Sequence, residues 1–458
     1  MNKTSPTLVL FITTVSAFCT SFAASSVNVA LPLIGIEFHL SGVALNWIVT
    51  IYVLVSAVFV MPLGRLGDLH GRQMIFGIGM IIYGVGSAAA ALVTDATGLI
   101  LARAFSSIGA AMAFGTVTAV LVAAYPPQQR GRILGINVAM VYFGLSAGPV
   151  LGGLITQVFG WRGLFWSHAL LSSVVVVLIL WRLRGNDRQH HHGGLDLVGA
   201  TLYAVGLGLL LVGLSDLPSL WGIGLSCGGL VVLVGFWLFE SRTNSPILPV
   251  TLFTKNRTFA FSNLAAMISY SATFAVAFFL SLYLESIRGL PPSEAGLVLI
   301  AQPLIQAVFS PITGRLSDRV SPRLLASVGM GLTALGLGVL TFLDATTPLV
   351  WVLAALVLLG LGFALFSSPN TNAIMGSVEK HDLGLASATV ATMRMIGQML
   401  SMGLALVLMS VILGSHAINS ETAGEFLMAQ RWGFGVSAGL CALGILASLA
   451  RGRSTKTV

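Results

Sequence analysis

The chain has 458 residues, of which 56% are hydrophobic and only 8% charged, and its mean hydropathy is +0.94. This composition excludes a water-soluble surface, so lipid must cover much of the chain. The formal net charge of +8 does not indicate nucleic-acid binding, because the basic residues stand singly in short loops without a continuous patch.

Continuous apolar runs predict fourteen membrane-spanning helices, since a hydrocarbon core about 30 Å thick requires roughly 20 apolar residues per helix. The predicted spans are 8–31, 43–63, 74–93, 98–124, 133–158, 163–181, 196–214, 220–239, 259–284, 295–313, 324–342, 348–369, 384–413 and 432–450. The first run is kept as a span because it is longer and more polar than a typical signal peptide.

The distribution of arginine and lysine predicts the topology. With the N-terminus inside, only Arg162, Arg288 and Arg431 fall in outer loops, and nearly all other basic residues are cytoplasmic. The expected protein is therefore a multi-pass protein of the cytoplasmic (inner) cell membrane with both termini in the cytoplasm. Arg103 and Arg394 fall within predicted spans four and thirteen, where a charge is costly and needs a reason.

A short charged segment occurs twice in the chain. The sequence GRLGD at 64–68 follows span two, and GRLSD at 314–318 follows span ten. Such a repeat predicts two related halves of a membrane protein, the architecture of transporters that rock one half against the other. The two copies lie eight spans apart rather than six, so two spans are inserted between six-helix halves.

The predicted fold is all-α and polytopic, with two six-helix halves and two inserted central helices. The predicted divisions are an N-terminal half at 1–181, a linker with the two extra spans at 182–258, and a C-terminal half at 259–458. The linker contains His190, His191 and His192. A histidine run can bind metal, but between helices it is more typical of a plain solvated loop.

Several motifs carry a family resemblance that covers nearly the whole chain. They are GRLGDLHGR at 64–72, RAFSSIGAA at 103–111, GLSAGPVLGG at 144–153, VNVALP at 27–32, NWIVT at 46–50, and the pair Trp161 and Arg162. Together they resemble the major facilitator superfamily, specifically its fourteen-span drug/proton antiporter branch. The resemblance implies export by alternating access in exchange for protons.

The residues expected to gate the cytoplasmic side belong to the two repeated segments and to the loop before span five. They are Gly64, Arg65, Asp68, Gly71, Arg72, Arg130, Gly314, Arg315 and Asp318. Gly64 and Gly71 would permit a tight turn, while Asp68 would pair with Arg72 or Arg130 or lie near helix N-termini. Because such pairs would lie near water, each would contribute only about 0–1 kcal/mol. The alternative is that these residues only enforce topology.

Span five carries small residues every four positions. The expected antiporter motif comprises Gly144, Gly148, Pro149, Gly152 and Gly153. Its glycines offer a groove that another helix can enter closely, and Pro149 removes a backbone hydrogen bond. Functional bending and plain packing both fit this pattern. On the same helix, the polar residues Asn137 and Tyr142 would either face substrate or bond a neighbouring helix.

One position departs from the family pattern. Exporters of this branch usually carry an aspartate four residues before the VNVALP stretch, and here that residue is Ala23. The acidic partner that the resemblance implies for Arg103 is therefore missing. Arg103 and Arg394 permit a substrate with an anionic group held by bidentate contacts. Alternatively, both arginines bond backbone carbonyls and brace helices.

Few titratable residues are candidates for coupling to protons. They are Glu285 at the outer end of span nine, His168 in span six, and Asp68. A lone membrane histidine is more often a hydrogen-bond partner between helices than a titrating group. Proton coupling therefore follows mainly from the resemblance.

The chain carries no nucleotide-binding P-loop, no metal-ligand spacing and no credible catalytic cluster, so no cofactor and no enzymatic activity are predicted. The expected protein is a monomeric secondary transporter that exports amphipathic or lipophilic compounds. The alternatives are an exporter of lipids or anionic metabolites, a facilitator without proton coupling, and a transporter-like sensor that binds ligand without moving it.

Overall fold

The computed structural model describes residues 5–40, 42–182, 194–243, 246–414 and 422–451, and within them every regular element is helical. Helices suit these apolar runs because lipid offers no hydrogen-bond partner to an exposed backbone. Among these residues, the α-helices in chain order are α1 (Pro6–Phe38), α2 (Gly42–His70), α3 (Arg72–Leu92), α4 (Ala96–Ala123), α5 (Arg130–Arg182), α6 (Leu197–Ser215) and α7 (Leu220–Glu240). They continue with α8 (Val250–Thr254), α9 (Arg257–Thr273), α10 (Val276–Leu282), α11 (Pro292–Leu299), α12 (Ala301–Arg319), α13 (Pro322–Thr341), α14 (Leu349–Gly376), α15 (Leu383–Ile412) and α16 (Ala423–Leu449).

Within the described ranges, 13 helical stretches are long and apolar enough to cross a membrane. One of them, at 127–181, is 55 residues long and covers two predicted spans. It is not one continuous helix, because Gly160 interrupts it with a φ of 70° and a ψ of 176°. Counting the two sides of Gly160 separately gives the fourteen predicted spans, and the predicted all-helical fold is confirmed.

Some helices end later than the hydropathy pattern predicts. Helix α2 continues to His70, seven residues beyond the predicted end, and α12 continues to Arg319. Both repeated charged segments are therefore helical, and the predicted tight turn at Gly64 is wrong. The chain turns only at Gly71, whose φ of 112° favours glycine. Hydropathy missed these last turns because a helix end that leaves the lipid no longer needs apolar residues.

Two predicted spans consist of several helical pieces. The predicted span 259–284 is built from α9, α10 and a five-residue π-helix at Tyr283–Ile287. The predicted span 295–313 comprises α11 and α12, which meet at Ile300. π-Helical turns are rare in proteins, and those that do occur often lie at functional sites. It places Glu285 at the end of this span.

The first compact unit contains Met1–Ala204, Phe239–Leu248 and Val378–Thr392. In it α1 packs along α5, while α3 and α2 pack on α4. The aromatic side chains of Phe22, Phe76, Tyr83 and Phe165 are fully or almost fully buried in apolar clusters of this unit. Its third segment includes the start of α15, so residues near the end of α2 pack against residues more than 300 positions later.

The second compact unit contains Val205–Leu238, Pro249–Ser377 and Met393–Val458. In it α13 packs on α14 and α16, α12 packs on α14, and α9 packs on α16. Phe279, Tyr283, Leu359 and Phe434 are buried in its main apolar cluster. The histidine run at 190–192 lies outside the described residues.

Candidate functional site

The centre of the predicted gating segment is the buried carboxylate of Asp68, whose side chain is 0% exposed. Its Oδ1 accepts hydrogen bonds from Arg72 Nε at 2.7 Å and from the Gly384 backbone N–H at 3.0 Å. Its Oδ2 accepts from the Leu385 N–H at 2.8 Å. The carboxylate therefore caps the first turn of α15, where backbone N–H groups lack a partner in their own helix and the helix dipole favours negative charge.

Arg72 holds the chain just before that helix. Its guanidinium donates to the carbonyl oxygens of Lys380 and His381, at 2.6 and 3.0 Å, while its Nε binds Asp68. Asp68 and Arg72 together thus fix the short segment 380–385 against the end of α2. We name these contacts of Asp68 and Arg72 with residues 380–385 the Asp68 latch.

Small residues allow this close approach. A Cβ on Gly384 would overlap the Asp68 carboxylate, and one on Gly64 would lie 2.5 Å from Ala388 Cβ. Gly64 is therefore required for packing rather than for a turn. Arg65 contributes a weaker contact, with its guanidinium 4.0 Å from Asp382.

Arg130 is the arginine that the sequence offered as an alternative to Arg72 for pairing with Asp68. Asp68 pairs with Arg72 and with the α15 backbone, and no contact between Asp68 and Arg130 occurs among the described residues. Arg130 is half-buried at the start of α5, and its Nε has no hydrogen-bond partner in the described chain. Of the two arginines that the sequence offered to Asp68, the structure selects Arg72, one helical turn away.

The second charged segment is less enclosed than the first. Gly314 is buried, Arg315 is exposed and Asp318 is half-buried. Ser317, which replaces the glycine of the first copy, donates its hydroxyl to the Gly314 carbonyl and accepts a hydrogen bond from Asn372 at 3.1 Å. The two copies share their position at the end of a helix but differ in the burial of their aspartate.

Arg103 on α4 is 4% exposed. Its Nε donates to the Ile48 carbonyl oxygen on α2, and its guanidinium carbon lies 5.2 Å from the Tyr52 ring centre and 5.9 Å from that of Phe165. Cation–π contacts with two rings partly compensate a desolvated guanidinium. These contacts connect three helices, as the bracing interpretation of Arg103 expects.

Ala23, which stands where the family pattern has an aspartate, lies in the same region. Ala23 is buried in an apolar cluster that also contains Tyr52 and Tyr83. Where the family pattern has a carboxylate, this chain offers Arg103 a backbone carbonyl and aromatic faces. Only the tertiary structure identifies these partners, since a carbonyl oxygen leaves no mark in the sequence.

His168 on α5 is buried and lies within hydrogen-bond distance of Ser26 on α1, with 3.1 Å between Nε2 and Oγ. Its ring packs edge-on against Phe22 and Phe165, with centroid distances of 5.4 and 5.9 Å. Two apolar rings and a hydroxyl therefore contact the imidazole. This geometry is typical of a hydrogen-bond partner between helices.

The glycine face of α5 packs closely on α1. A Cβ on Gly144 would lie 2.8 Å from the Phe18 carbonyl oxygen, and a Cβ on Gly152 would lie 2.7 Å from Ser26 Cβ. A Cβ on Gly148 would collide with Ser25. Beside this face, Gly153 has more room, whereas Pro149 is exposed and faces away. The repeat thus marks a helix interface.

The other polar candidates are scattered. Asn137 is buried and donates to the Thr13 carbonyl oxygen at 3.4 Å, and Tyr142 is half-buried. In the second unit, Glu285 is half-buried and accepts a hydrogen bond from Ser281 at 2.6 Å, and Arg394 is half-buried on α15. The first two thus belong to the α1–α5 region, and the last two to different helices of the other unit.

A polar cluster that the sequence did not predict lies at the C-terminal end of α1. Glu37 accepts a hydrogen bond from Trp161 Nε1 and forms an ion pair with Arg162, both at 2.7 Å. Arg162 also donates to the Val93 carbonyl and stacks on the Trp161 ring, 4.2 Å from its centre. Glu37 connects α1 to the Gly160 break in α5. The available signal was the pair Trp161 and Arg162 itself, since a buried indole N–H and the arginine beside it both require an acceptor.

The second unit contains a small cavity between α10, α15 and α16. Phe279 and Phe434 form its aromatic wall, with ring centres 5.7 Å apart, and Ser401 adds a hydroxyl. Its free volume is about 10 Å³, which is about enough for one water molecule. It is too small for an amphipathic substrate.

The fold and these interhelical sites define the class as a polytopic membrane transporter. The family model described as Major Facilitator Superfamily matches residues 13–252 and 262–457. The chain therefore belongs to the major facilitator superfamily.

Named relatives include transporters of different substrates. The chain is 27% identical to the riboflavin transporter RibZ of Clostridioides difficile, over 96% of each chain. It is 31% identical to the multidrug resistance protein Stp of Mycobacterium tuberculosis, over 87% of this chain and 74% of the relative. Among solved structures, the human organic anion transporter MFSD10 matches with a TM-score of 0.72 over 97% of this chain and all of the other, at 12% identity. At that identity the structural match shows the fold alone.

Proposed function

We propose that this protein is a secondary active transporter of the fourteen-span drug/proton antiporter branch, exporting amphipathic or lipophilic compounds by alternating access in exchange for protons. The observation that carries the proposal is the Asp68 latch. It joins the end of α2 to the start of α15 through contacts that two backbone N–H groups and one guanidinium make with a single carboxylate. Because all of these hydrogen bonds end on one carboxylate, they can form and break together.

The burial of Asp68 changes the energetics expected from the sequence. The prediction of pairs near water, each contributing about 0–1 kcal/mol, is wrong for Asp68, because its side chain is fully buried. Hydrogen bonds to a charged group contribute roughly 1.5–3 kcal/mol each, so the latch is too strong to open without compensation. We propose that a proton neutralises the Asp68 carboxylate and so compensates the cost of opening the latch, because a protonated carboxyl binds the α15 N-terminus less tightly.

The moving parts in this proposal are the predicted halves 1–181 and 259–458, with 182–258 contributing the inserted helices. We place the protein as a monomer in the cytoplasmic membrane, with both termini and the Asp68 latch on the cytoplasmic side. The named multidrug relative supports efflux. The named riboflavin transporter supports a wider range of substrates in this part of the family.

A second candidate function is export of an anionic compound or a lipid. It is favoured by one observation: the contacts described for Arg103 are a backbone carbonyl and two aromatic rings, with no carboxylate among them. A guanidinium without a neutralising partner attracts an anion. In this alternative Arg103 contacts the substrate, whereas in the first proposal it braces α2, α4 and α5.

Ligand-driven proton movement in proteoliposomes tests the proposal. A pH dye is enclosed, and cationic, neutral and anionic amphiphiles are added in turn. We expect cationic or neutral compounds to move protons in the wild type and the Asp68→Asn variant to lose most of this activity. Asp382→Asn, which removes the charge that lies 4.0 Å from Arg65 and 3.3 Å from His381 but leaves the hydrogen bonds of Asp68 in place, serves as the matched control and should retain it.

A response to anions alone, abolished by Arg103→Ala, would establish the second candidate. Substrate flux without proton movement would identify an uncoupled facilitator. Binding of a ligand without flux would identify a sensor and contradict both proposals.

A further inference from the structure

Two carboxylates stand at the same end of the two inserted helices. Asp196 directly precedes α6, and Glu240, which is 2% exposed, is the last residue of α7. Each uses one oxygen for a backbone contact: Asp196 Oδ1 accepts from the Gly199 N–H at 2.9 Å, and Glu240 Oε2 from the Leu248 N–H at 3.1 Å. The second oxygens, Asp196 Oδ2 and Glu240 Oε1, are buried without a hydrogen-bond partner in the described chain.

The two unpartnered oxygens face the same small space. A Cβ added to Gly199 would lie 2.6 Å from Asp196 Oδ2 and would also collide with Glu240 Oε1. Both oxygens therefore border the position that the missing Gly199 side chain leaves open. An alanine there would force them apart.

It is unfavourable for both carboxylates that border this space to be ionised. Each is only an acceptor, so neither can satisfy the other, and their negative charges repel. One proton changes both facts, because a protonated carboxyl donates to its neighbour and removes one charge.

We propose that Asp196 and Glu240 form a proton-binding site that holds one shared proton at neutral pH. Asp196 alone would be an ordinary helix cap, and that role occupies only its Oδ1. Helix capping does not explain the Oε1 of Glu240, which is buried without a hydrogen-bond partner in the described chain. A proton needs no cavity, which suits a space bounded by a glycine.

The site also has a charged neighbour in the signature segment. Among the described residues, the charged groups that act on Glu240 are Asp196 and Arg65 of α2, and Arg65 in turn lies 4.0 Å from Asp382. The other contacts of the pair are the backbone N–H groups of Ile247, Leu248 and Gly199. Loss of the proton would strengthen the attraction between the pair and Arg65 at the expense of Asp382. This consequence for transport depends on the proposed proton-coupled export, whereas the proton site itself does not.

Infrared difference spectroscopy of the purified full chain tests the site without any transport measurement. We expect a protonated-carboxyl C=O band at neutral pH that shifts in D₂O. It should disappear in Glu240→Gln and in Asp196→Asn, because each variant leaves a single carboxylate that accepts from a neutral amide. Glu294→Gln, at an exposed position, is the control and should leave the band unchanged.

A second pair of variants keeps the test independent of folding defects. Removing the positive charge in Arg65→Gln should make the band persist to a pH higher by roughly 0.5–1 unit, whereas exposed Arg242→Gln should not move it. Absence of the band from the wild type at neutral pH, or its survival in either carboxylate variant, would overturn the proposal. Because the band needs no substrate, failure of export activity would leave this result unaffected.

Discussion

At the scale of single residues, the charges buried in this protein are stabilised in different ways. Asp68 has three hydrogen-bond donors, Arg103 has a carbonyl oxygen and two rings, and the Arg451 guanidinium has no hydrogen-bond partner among the described residues. The cost of burying a charge depends on these partners rather than on the charge alone. The three residues therefore respond differently to substitution.

Arg103→Ala tests the bracing interpretation. Because Arg103 connects α4 to α2 and to a ring of α5, its removal should lower the free energy of unfolding by about 1–3 kcal/mol. Thermal unfolding in detergent measures this effect, with Arg315→Ala on the exposed side of α12 as a control that should change little. Unchanged stability combined with loss of anion binding would instead support a substrate contact.

Arg451→Met should stabilise the protein. Arg451 is 3% exposed, and burial together with the nearby Arg323 lowers the pKa of its guanidinium to about 9. A base whose pKa falls on folding destabilises the folded state fully below the lowered pKa, and this penalty decreases as pH rises above about 9. At neutral pH we therefore expect the thermal midpoint to rise, corresponding to about 1–3 kcal/mol.

The control for Arg451 is Arg319→Met, since Arg319 is exposed near the end of α12. This variant should leave the midpoint unchanged. A fall in the midpoint of Arg451→Met would mean that the guanidinium has a stabilising contact, and the explanation by uncompensated burial would then be wrong.

At the scale of helices, the contact between α1 and α5 depends on which side of α5 carries the glycines. Gly144, Gly148 and Gly152 face α1, whereas the neighbouring Gly153 does not have a close contact. The four-residue period was readable from the sequence, because residues four apart share one face of a helix. The identity of the partner helix was not readable, since several spans offer small residues.

Gly152→Ala and Gly153→Ala form a matched pair on α5. Both substitutions add the same methyl group and the same gain in helix propensity. At position 152 the Cβ would lie 2.7 Å from Ser26 Cβ, so α1 and α5 must separate, at a cost of about 1–3 kcal/mol. At position 153 the nearest atom is 3.7 Å away, and stability should be unchanged or slightly higher. Thermal unfolding of both variants measures the difference, and equal midpoints would contradict a tight interface.

At the scale of the whole molecule, the topology rests on the arginine and lysine distribution. Thr346, between α13 and α14, should be outside, and Arg319, at the end of α12, should be inside. Both positions are exposed or nearly so, while the native Cys19 and Cys441 are buried. Thr346→Cys should therefore react with a membrane-impermeant maleimide on intact cells. Arg319→Cys should react only after permeabilisation, with a Cys227→Ser background to remove the exposed native thiol.

The reverse labelling pattern would place the Asp68 latch outside and would contradict both the positive-inside prediction and the proposed role of the latch. Labelling of both positions on intact cells would contradict the odd number of crossings between them. These outcomes depend on the topology alone and do not require a substrate.

The sequence by itself determined the class of this protein, because twenty apolar residues in a row can satisfy their backbone only as a helix in lipid. It also located Asp68, Arg103 and the glycine face of α5, since charge and small size at these positions are unusual within apolar segments. Hydropathy placed the end of α2 too early, because it measures contact with lipid rather than helical hydrogen bonding.

Only the tertiary structure decided which partners these residues have. Asp68 binds backbone N–H groups 316 and 317 positions away, Arg103 binds a carbonyl oxygen, and Asp196 faces Glu240 across Gly199. Backbone donors and acceptors are the same at every position of a chain, so no sequence pattern distinguishes the ones that a side chain will use. Their selection follows from helix packing, which brings distant segments together.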